Sequence, residues 1–325
     1  MEPSQMNDPG ISGPIWLPTA PPNMAEYLAP NLQPIPLIPA IAAIAALLYL
    51  AGAIRLWRQG RKWSIVATAS FLAGCLTIIV VMGAGIEGYG LKMFSIFMFQ
   101  QLTLMMAVPP LLVFGSPGRL LLRAMPHRGL GRVVLRGAIS GLRSRWGAFL
   151  LHPAFTIPLF LMSFYGLYFS GLADSMLRSW TGHVGLEVIF LVAGILFTIP
   201  LISTDPRPRR ETHLGKMVDI FVEMPLHAFF GVVIMMATVP MVAFFQDMPA
   251  SWGIDPMKDQ GVAGGLAWAY GELPTVLLLM LILFRWQRDD SRTARAKDVE
   301  ADLSGSDPQD LTDYNEYLSG LARRR

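Results

Sequence analysis

The stretch MVDIFVEMPLHAFFGVV, residues 217–233, lies in a run apolar enough to cross a bilayer, yet it carries a polar residue at every fourth position. These residues are Asp219, Glu223 and His227. Side chains four residues apart lie on the same face of an α-helix. Because an ionisable side chain in hydrocarbon costs on the order of a few kcal/mol, this face is predicted to point toward protein or water rather than toward lipid.

The rest of the chain has the composition of a polytopic membrane protein. Of its 325 residues, 53% are hydrophobic and only 15% are charged. A helix needs roughly 20 apolar residues to cross the hydrocarbon core, and none of the apolar blocks shows the short alternation of a membrane barrel. The sequence therefore predicts an all-α protein with seven transmembrane helices, at 36–55, 64–85, 91–115, 147–171, 183–202, 217–245 and 262–284.

Basic residues follow every second predicted span. Clusters of Arg and Lys come after the first, third and fifth spans, whereas single cations, Lys92, Arg178 and Lys258, lie in or beside the intervening loops. The positive-inside rule places the clustered loops in the cytoplasm, with the N-terminus outside and the C-terminus inside. The cations are thus interpreted as topology signals beside the lipid bilayer, and nucleic acid is not an expected partner. The clusters are Arg55, Arg58, Arg61 and Lys62; Arg119, Arg123, Arg128, Arg132, Arg136, Arg143 and Arg145; and Arg207, Arg209, Arg210 and Lys216.

Three regions are expected along the chain. Residues 1–34 form a Pro-rich extracytoplasmic lead without a signal-peptide pattern, which would also suit the end of a larger upstream domain. Residues 35–285 form the seven-helix membrane domain, and residues 286–325 form a charged cytoplasmic tail with a short helix near 314–322. The single cysteine, Cys75, is interpreted as a packing residue.

The predicted spans contain few ionisable side chains. His183 and Glu187 form a pair near the outer end of the fifth span, while His227 and Glu272 reach similar depths in the sixth and seventh. Imidazole, carboxylate and thioether together suit copper, with thioether favouring Cu(I). The candidate metal ligands are His183, Glu187, His227 and Met98, and the other intramembrane polar groups are Asp219, Glu223, Glu272, Gln101 and His152.

Two other interpretations of these groups stay open. Imidazole and carboxylates would equally serve a proton relay, and pairing of His227 with Glu223 or Glu272 would satisfy these groups without any ligand. Asp219 lies close enough to Lys216 for interfacial pairing. The sequence contains no Gly-rich phosphate loop, serine elbow or HExxH motif, so a non-enzymatic function is expected.

Six blocks of the sequence are distinctive in combination. They are FSIFMFQQLTLMMAVPPLLVFGSPGRLLLRAMP (94–126), LLHPAF (150–155), GHVGLEVIFLVAGILFTIPLISTDPRPRR (182–210), EMPLHAFFGVVIM (223–235), DQGVAGGLAWAYGELPTVLLLMLILFRWQRDD (259–290) and YNEYLSGLARR (314–324). Together these blocks resemble the CtaG-type cytochrome c oxidase assembly factors of bacteria, and the likeness covers nearly all of residues 35–325. The resemblance implies a seven-helix protein of the bacterial plasma membrane that assists copper delivery to a haem-copper oxidase, whose subunits would be its partners. In actinobacteria this membrane domain often follows a copper-resistance D-type domain in one chain.

The chain departs from this family at the start of the third span. The family commonly has His-Met-x-x-His there, and the matching positions are Phe97, Met98 and Gln101. His152, His183 and His227 do match. We therefore expect any copper site to be arranged around Met98, His183, Glu187 and His227. The alternatives to an oxidase assembly factor are a copper or proton transporter and a structural membrane scaffold without metal.

Overall fold

The structure is a computed structural model. The model describes residues 10–126, 128–206, 212–304 and 309–323. Parts of the predicted lead, residues 1–9, and of the tail, residues 305–308 and 324–325, lie outside the described residues. So do Arg207, Arg209 and Arg210 of the third basic cluster.

The described part of the chain is helical, without a β-strand. One isolated bridge pairs Ser12 with Ser179. Two π-helical turns, Thr103–Ala107 and Met162–Gly166, and two 3-10 turns, Ala243–Gln246 and Ala250–Trp252, interrupt or connect the α-helices. The α-helices are α1 (Met24–Leu28), α2 (Leu37–Arg58), α3 (Ile65–Gly83), α4 (Ile86–Gly90), α5 (Phe94–Leu102), α6 (Val108–Phe114), α7 (Pro117–Ala124), α8 (Leu130–Arg143), α9 (Arg145–Leu150), α10 (Pro153–Leu161), α11 (Leu167–Phe169), α12 (Leu172–Leu177), α13 (Trp180–Ile202), α14 (His213–Met236), α15 (Pro256–Ala269), α16 (Glu272–Ser304) and α17 (Gln309–Ala322).

Six helical stretches within the described residues are long and apolar enough to cross a membrane. The all-helical multi-pass architecture predicted from the sequence is therefore confirmed. The predicted fourth span, 147–171, corresponds to a shorter apolar helix, Pro153–Phe169. Seven crossings, and the orientation of the termini, stay predictions. The six stretches are Leu37–Arg58, Ile65–Gly83, Phe94–Ala124, Trp180–Ile202, His213–Met236 and Pro256–Val299.

The chain divides into two compact units, Met1–Leu279 and Met280–Arg325. The first contains every element that positions the groups discussed below. The second contains the C-terminal part of α16 and helix α17, which includes the region near 314–322 that was predicted to be helical. The domain boundaries predicted from the sequence stay predictions.

Hydroxyl side chains fix where the central helices begin. The Ser179 hydroxyl accepts a hydrogen bond from the Gly182 N–H (3.1 Å) at the start of α13, and the Thr212 hydroxyl accepts one from the Gly215 N–H (3.1 Å) at the start of α14. Such caps satisfy N–H groups that have no partner within the helix. They set the register in which α13 and α14 present their acidic and imidazole side chains.

The π turn between α5 and α6 precedes a proline pair. The Val108 N–H donates to the carbonyl of Thr103, five residues back. Pro109 and Pro110 follow, and proline has no N–H with which to continue the helical ladder. A π turn widens the helix locally and re-aims its side chains, and such turns are frequent at functional sites.

Helices α14 and α15 approach so closely that glycine is required on both. A Cβ atom at Gly231 would collide with the backbone nitrogen of Trp268, and one at Gly264 would collide with that of Met235. Small residues allow this kind of backbone contact between membrane helices. The contact holds the buried face of α14 against α15.

The described part of the lead packs against the remainder of the first unit. The Ser12 N–H donates to the carbonyl of Arg178 (2.9 Å), and the Trp180 N–H donates to the carbonyl of Ser12 (2.8 Å). The Gln33 side chain bonds both backbone groups of Trp16, at 2.8 and 3.1 Å. These contacts bring the lead to the first turn of α13, where His183 lies.

Gly264→Ala is expected to lower the unfolding temperature of the detergent-purified protein, because its methyl group meets the backbone of Met235. The cost of such overpacking is about 1–3 kcal/mol. Gly261→Ala on the same helix is the control, since a Cβ atom at that position would have no other atom within 4 Å. Thermal unfolding of both variants measures the difference. Equal unfolding temperatures would contradict the close contact.

Candidate cation site

Three buried side chains converge where helix α4 meets the first turns of α13. Glu87 comes from α4, and His183 and Glu187 come from successive turns of α13. Each of the three side chains offers a ligand atom, and these atoms all lie within 4.8 Å of one another. Among the described residues, this is the group of His, Cys, Asp and Glu side chains whose spacing could hold a metal ion.

A single imidazole nitrogen faces both carboxylates. His183 Nε2 lies 3.0 Å from Glu87 Oε1 and 3.1 Å from Glu187 Oε1. The Nε2 atom can carry only one proton, so it cannot donate to both oxygens at once. Glu187 Oε1 and His183 Nδ1 have no hydrogen-bond partner within the described structure. This arrangement leaves ligand atoms available beside the shared nitrogen.

Gln100 orients the carboxylate of Glu87. The Gln100 Nε2 amide donates to Glu87 Oε2 (2.6 Å) and to the backbone carbonyl of Val81 (3.0 Å). These two hydrogen bonds use both amide protons of Gln100, so the Glu87 carboxylate is held in one orientation. The amide oxygen of Gln100 points at Gly90, where a Cβ atom would collide with it. Such supporting hydrogen bonds fix the geometry of ligands at metal sites.

Burial makes negative charge costly at this position. Glu87 lies in the short helix α4, outside the membrane-spanning helices, and only 4% of its surface is exposed. Burial raises the pKa of its carboxyl group to about 8, and the nearby charge of Glu187 adds to the rise. A positive charge between these carboxylates would offset that cost.

A small cavity adjoins the three side chains. Its volume is about 20 Å³, which is room for one water molecule or ion. Ile15 and Gln33 of the lead contribute to its wall. The sulfur-containing residue among its lining side chains is Met82.

The structure separates the candidate metal ligands into different places. His183 and Glu187 meet Glu87, but His227 is approached by Glu223 and Glu272 instead, with the carboxylate oxygens 3.9 Å from its Nδ1 atom. Met98 is fully buried on α5, and it is not among the residues that line the cavity.

The other predicted polar residues have separate roles. Gln101 donates to the backbone carbonyl of Ser163 (3.0 Å) and accepts from the Tyr168 hydroxyl. The His152 ring accepts from the Ala154 N–H (3.1 Å) and so caps helix α10. Asp219 is half-buried on α14.

Glu87 was not predicted as a site residue. It lies between the second and third predicted spans, in a segment without strong hydropathy or motif signal. Its neighbours in the sequence, Gly83, Gly85, Gly88 and Gly90, give one usable signal, since a carboxylate among small residues can be enclosed by close packing. Its partners are separated from it by about a hundred residues, and only the fold brings them together.

The fold and this cluster define a multi-pass helical membrane protein with a buried acid–imidazole group. The family model described as "Cytochrome c oxidase caa3 assembly factor (Caa3_CtaG)" matches residues 47–289. That range is most of the chain, and the chain belongs to the family of cytochrome c oxidase caa3 assembly factors. The resemblance inferred from the sequence is thereby confirmed.

The chain is also similar to uncharacterized mycobacterial proteins. One of Mycobacterium bovis and one of Mycobacterium tuberculosis are each 37% identical over 294 residues. One of Mycobacterium leprae is 36% identical over 292 residues. Each match covers 89% of this chain but 44% of the relative, so the chain spans under half of their length. No solved structure gives a significant match to this chain.

Gln100→Leu is expected to destabilise the protein, because it removes the amide donor from a buried carboxylate. Leaving a buried polar group without its partner costs about 1–3 kcal/mol, and more where the group is charged. Thermal unfolding in detergent measures the loss. Gln246→Leu, in the turn Ala243–Gln246 away from this cluster, is the matched control. An unfolding temperature for Gln100→Leu equal to that of the control would contradict the orienting role.

Proposed function

We propose that this protein assists maturation of a haem-copper oxidase in the bacterial plasma membrane by holding a copper ion in transit. Copper is the cargo, and Glu87, His183 and Glu187 would be the residues that hold it. Membership of the caa3 assembly factor family supports the oxidase part of this proposal. The convergence of two carboxylates on one buried imidazole nitrogen supports the cation part.

The donor atoms favour an oxidised copper ion. Carboxylate oxygens and an imidazole nitrogen suit Cu(II), whereas Cu(I) prefers thioether or thiolate. Glu187 Oε1, which has no hydrogen-bond partner within the described structure, fits a site whose charge balance is completed by a cation. A bound ion would replace the proton on His183 Nε2 as the positive group that faces both buried carboxylates.

Methionine has a smaller part in this proposal than the sequence predicted. Met82 lines the cavity and would offer a thioether if the copper were reduced. Met98 and His227 are not used at this site. The proposed partners are subunits of the oxidase that receives the ion. The transfer is an exchange of ligands, so no residue is assigned a catalytic role.

The lead would control access to the ion. Ile15 and Gln33 line the cavity, and Gln33 is itself held by the backbone of Trp16. A copper ion that leaves on this side would require these contacts to open. This makes the lead the natural place for an oxidase subunit to act on the site.

In the source bacterium, deletion of this protein is expected to lower the oxidase activity and oxidase-bound copper of isolated membranes. Re-expression of the wild type should restore both. The His183→Gln variant should not restore them, because a neutral amide is a poor replacement for an imidazole ligand. Added copper should partly rescue the deletion strain, because delivery is then less limiting.

His152→Asn is the matched control for this experiment. It replaces a histidine outside the cluster with another residue that can cap α10, and it should restore oxidase activity fully. Immunoblots of the membranes verify equal amounts of each variant. A deletion strain with normal oxidase activity and normal oxidase copper would overturn the proposed function.

A further inference from the structure

A second group of ionisable side chains lies inside the helical bundle, apart from the cation site. It consists of Glu223 and His227 on α14 and Glu272 at the start of α16. His227 and Glu223 are almost completely buried, at 0% and 1% exposure. Both oxygens of Glu223 and Glu272 Oε2 have no hydrogen-bond partner within the described structure, whereas the backbone of Ala267 is a hydrogen-bond partner of the His227 ring.

The spacing of these atoms points to water between them. Glu223 Oε1 and Glu272 Oε1 each lie 3.9 Å from His227 Nδ1. Direct hydrogen bonds between such atoms span about 2.7–3.2 Å. Two hydrogen bonds of about 2.8 Å that meet at one water oxygen join atoms about 4–4.6 Å apart, so the gaps of 3.9 Å are close to the short end of a water bridge.

A directly bound metal ion does not fit the same atoms. Metal–ligand bonds of about 2.0–2.2 Å would require all three ligand atoms to lie within about 4.4 Å of one another. Among the described residues, the group within 4.8 Å is Glu87, His183 and Glu187, and His227 is not part of it. The two clusters therefore suit different ligands.

The surroundings of His227 direct one ring nitrogen toward both carboxylates. A Cβ atom at Gly271 would collide with Nε2 and Cε1, so this edge of the ring packs against the backbone between α15 and α16. The ring of Phe164 lies 5.4 Å away, measured between centroids. Nδ1 is left as the nitrogen that faces the gaps to Glu223 and Glu272.

Other titratable side chains on the surrounding helices have hydrogen-bond partners of their own. The Tyr165 hydroxyl donates to the carbonyl of Leu226, and the Tyr168 hydroxyl donates to Gln101. The Tyr270 hydroxyl bonds that of Thr103 (3.2 Å), and Asp259 accepts from the Ser95 N–H (3.1 Å). These groups therefore do not fill the gaps around Nδ1.

The cluster continues along α14 on one side and opens on the other. Lys216 and Asp219 precede Glu223 on the same side of the helix; Lys216 is buried and Asp219 is half-buried. Glu272 is 23% exposed and is the least buried of the three side chains. The three residues thus connect a half-buried carboxyl group with the stripe on α14.

We propose that Glu223, His227 and Glu272 form a hydrated proton-transfer site, distinct from the cation site. A proton leaves the Glu272 carboxyl group as a bridging water gives one of its own protons to His227 Nδ1. The Nδ1–H bond then breaks, and a second water passes a proton to the carboxylate of Glu223. The net result is transfer of one proton from Glu272 to Glu223, with the imidazole and both waters returned to their starting forms.

Proton flux into proteoliposomes tests this site. The full chain is reconstituted in vesicles that enclose a pH-sensitive dye, and a potassium diffusion potential drives protons inward. The wild type should acidify the vesicles faster than protein-free vesicles do. Glu223→Gln and His227→Gln should each reduce the protein-dependent rate about tenfold or more, since positioned proton-transfer groups typically contribute factors of this size or larger.

Glu316→Gln, on an exposed position of α17, is the control and should conduct like the wild type. If a buried variant aggregates in detergent, Glu272→Gln at the partly exposed end replaces it and should show the same loss. A wild type no faster than empty vesicles, or folded variants that conduct like the wild type, would overturn the proposal. Copper content measured on the same preparations separates this outcome from failure of the cation site.

Discussion

The interaction on which this structure depends is the sharing of one buried imidazole nitrogen by two carboxylates. Burying an unpaired charge costs several kcal/mol, so a buried carboxylate at Glu87 or Glu187 requires a proton or a compensating group beside it. His183 provides such a group at 3.0 and 3.1 Å. The surrounding contacts support this arrangement: Gln100 holds Glu87 in place, Ser179 fixes the start of α13, and the lead lines part of the cavity.

The same constraint separates the polar groups of the bundle into two clusters with different chemistry. At the first, ligand atoms lie close together and beside a cavity that is large enough for one ion. At the second, the gaps of 3.9 Å are suited to water. If the first cluster holds copper as proposed, capture or release of the ion would change the charge of the protein. The proposed route for protons would allow that charge to be balanced within the same membrane domain.

Periodicity and hydropathy predicted the parts of the molecule that depend on local sequence. Residues four apart are neighbours on any helix. The spacing of Asp219, Glu223 and His227 predicted a buried stripe, and Glu223 and His227 are buried. The spacing of His183 and Glu187 predicted the contact between them. The depth argument that paired His227 with Glu272 agrees with their 3.9 Å separation.

The remaining features depend on tertiary packing. Glu87 joins the site through a contact with a residue 96 positions later, and hydropathy carries no signal for such a pairing. The sequence analysis placed His183 and His227 together in one candidate metal site. In the structure each histidine faces different carboxylates, His183 with Glu87 and His227 with Glu272. Apolar composition also does not determine local backbone geometry. It therefore predicted neither the length of the helix Pro153–Phe169 nor the π turn before Pro109.

The most direct test is electron paramagnetic resonance of the purified protein loaded with Cu(II). The account predicts one tightly bound ion per chain, with coupling to the nitrogen of a single imidazole and with oxygen as the other protein donor. That signal should disappear in His183→Gln and persist in His227→Gln. A protein that binds no Cu(II) above background, or a signal unchanged in His183→Gln, would contradict it.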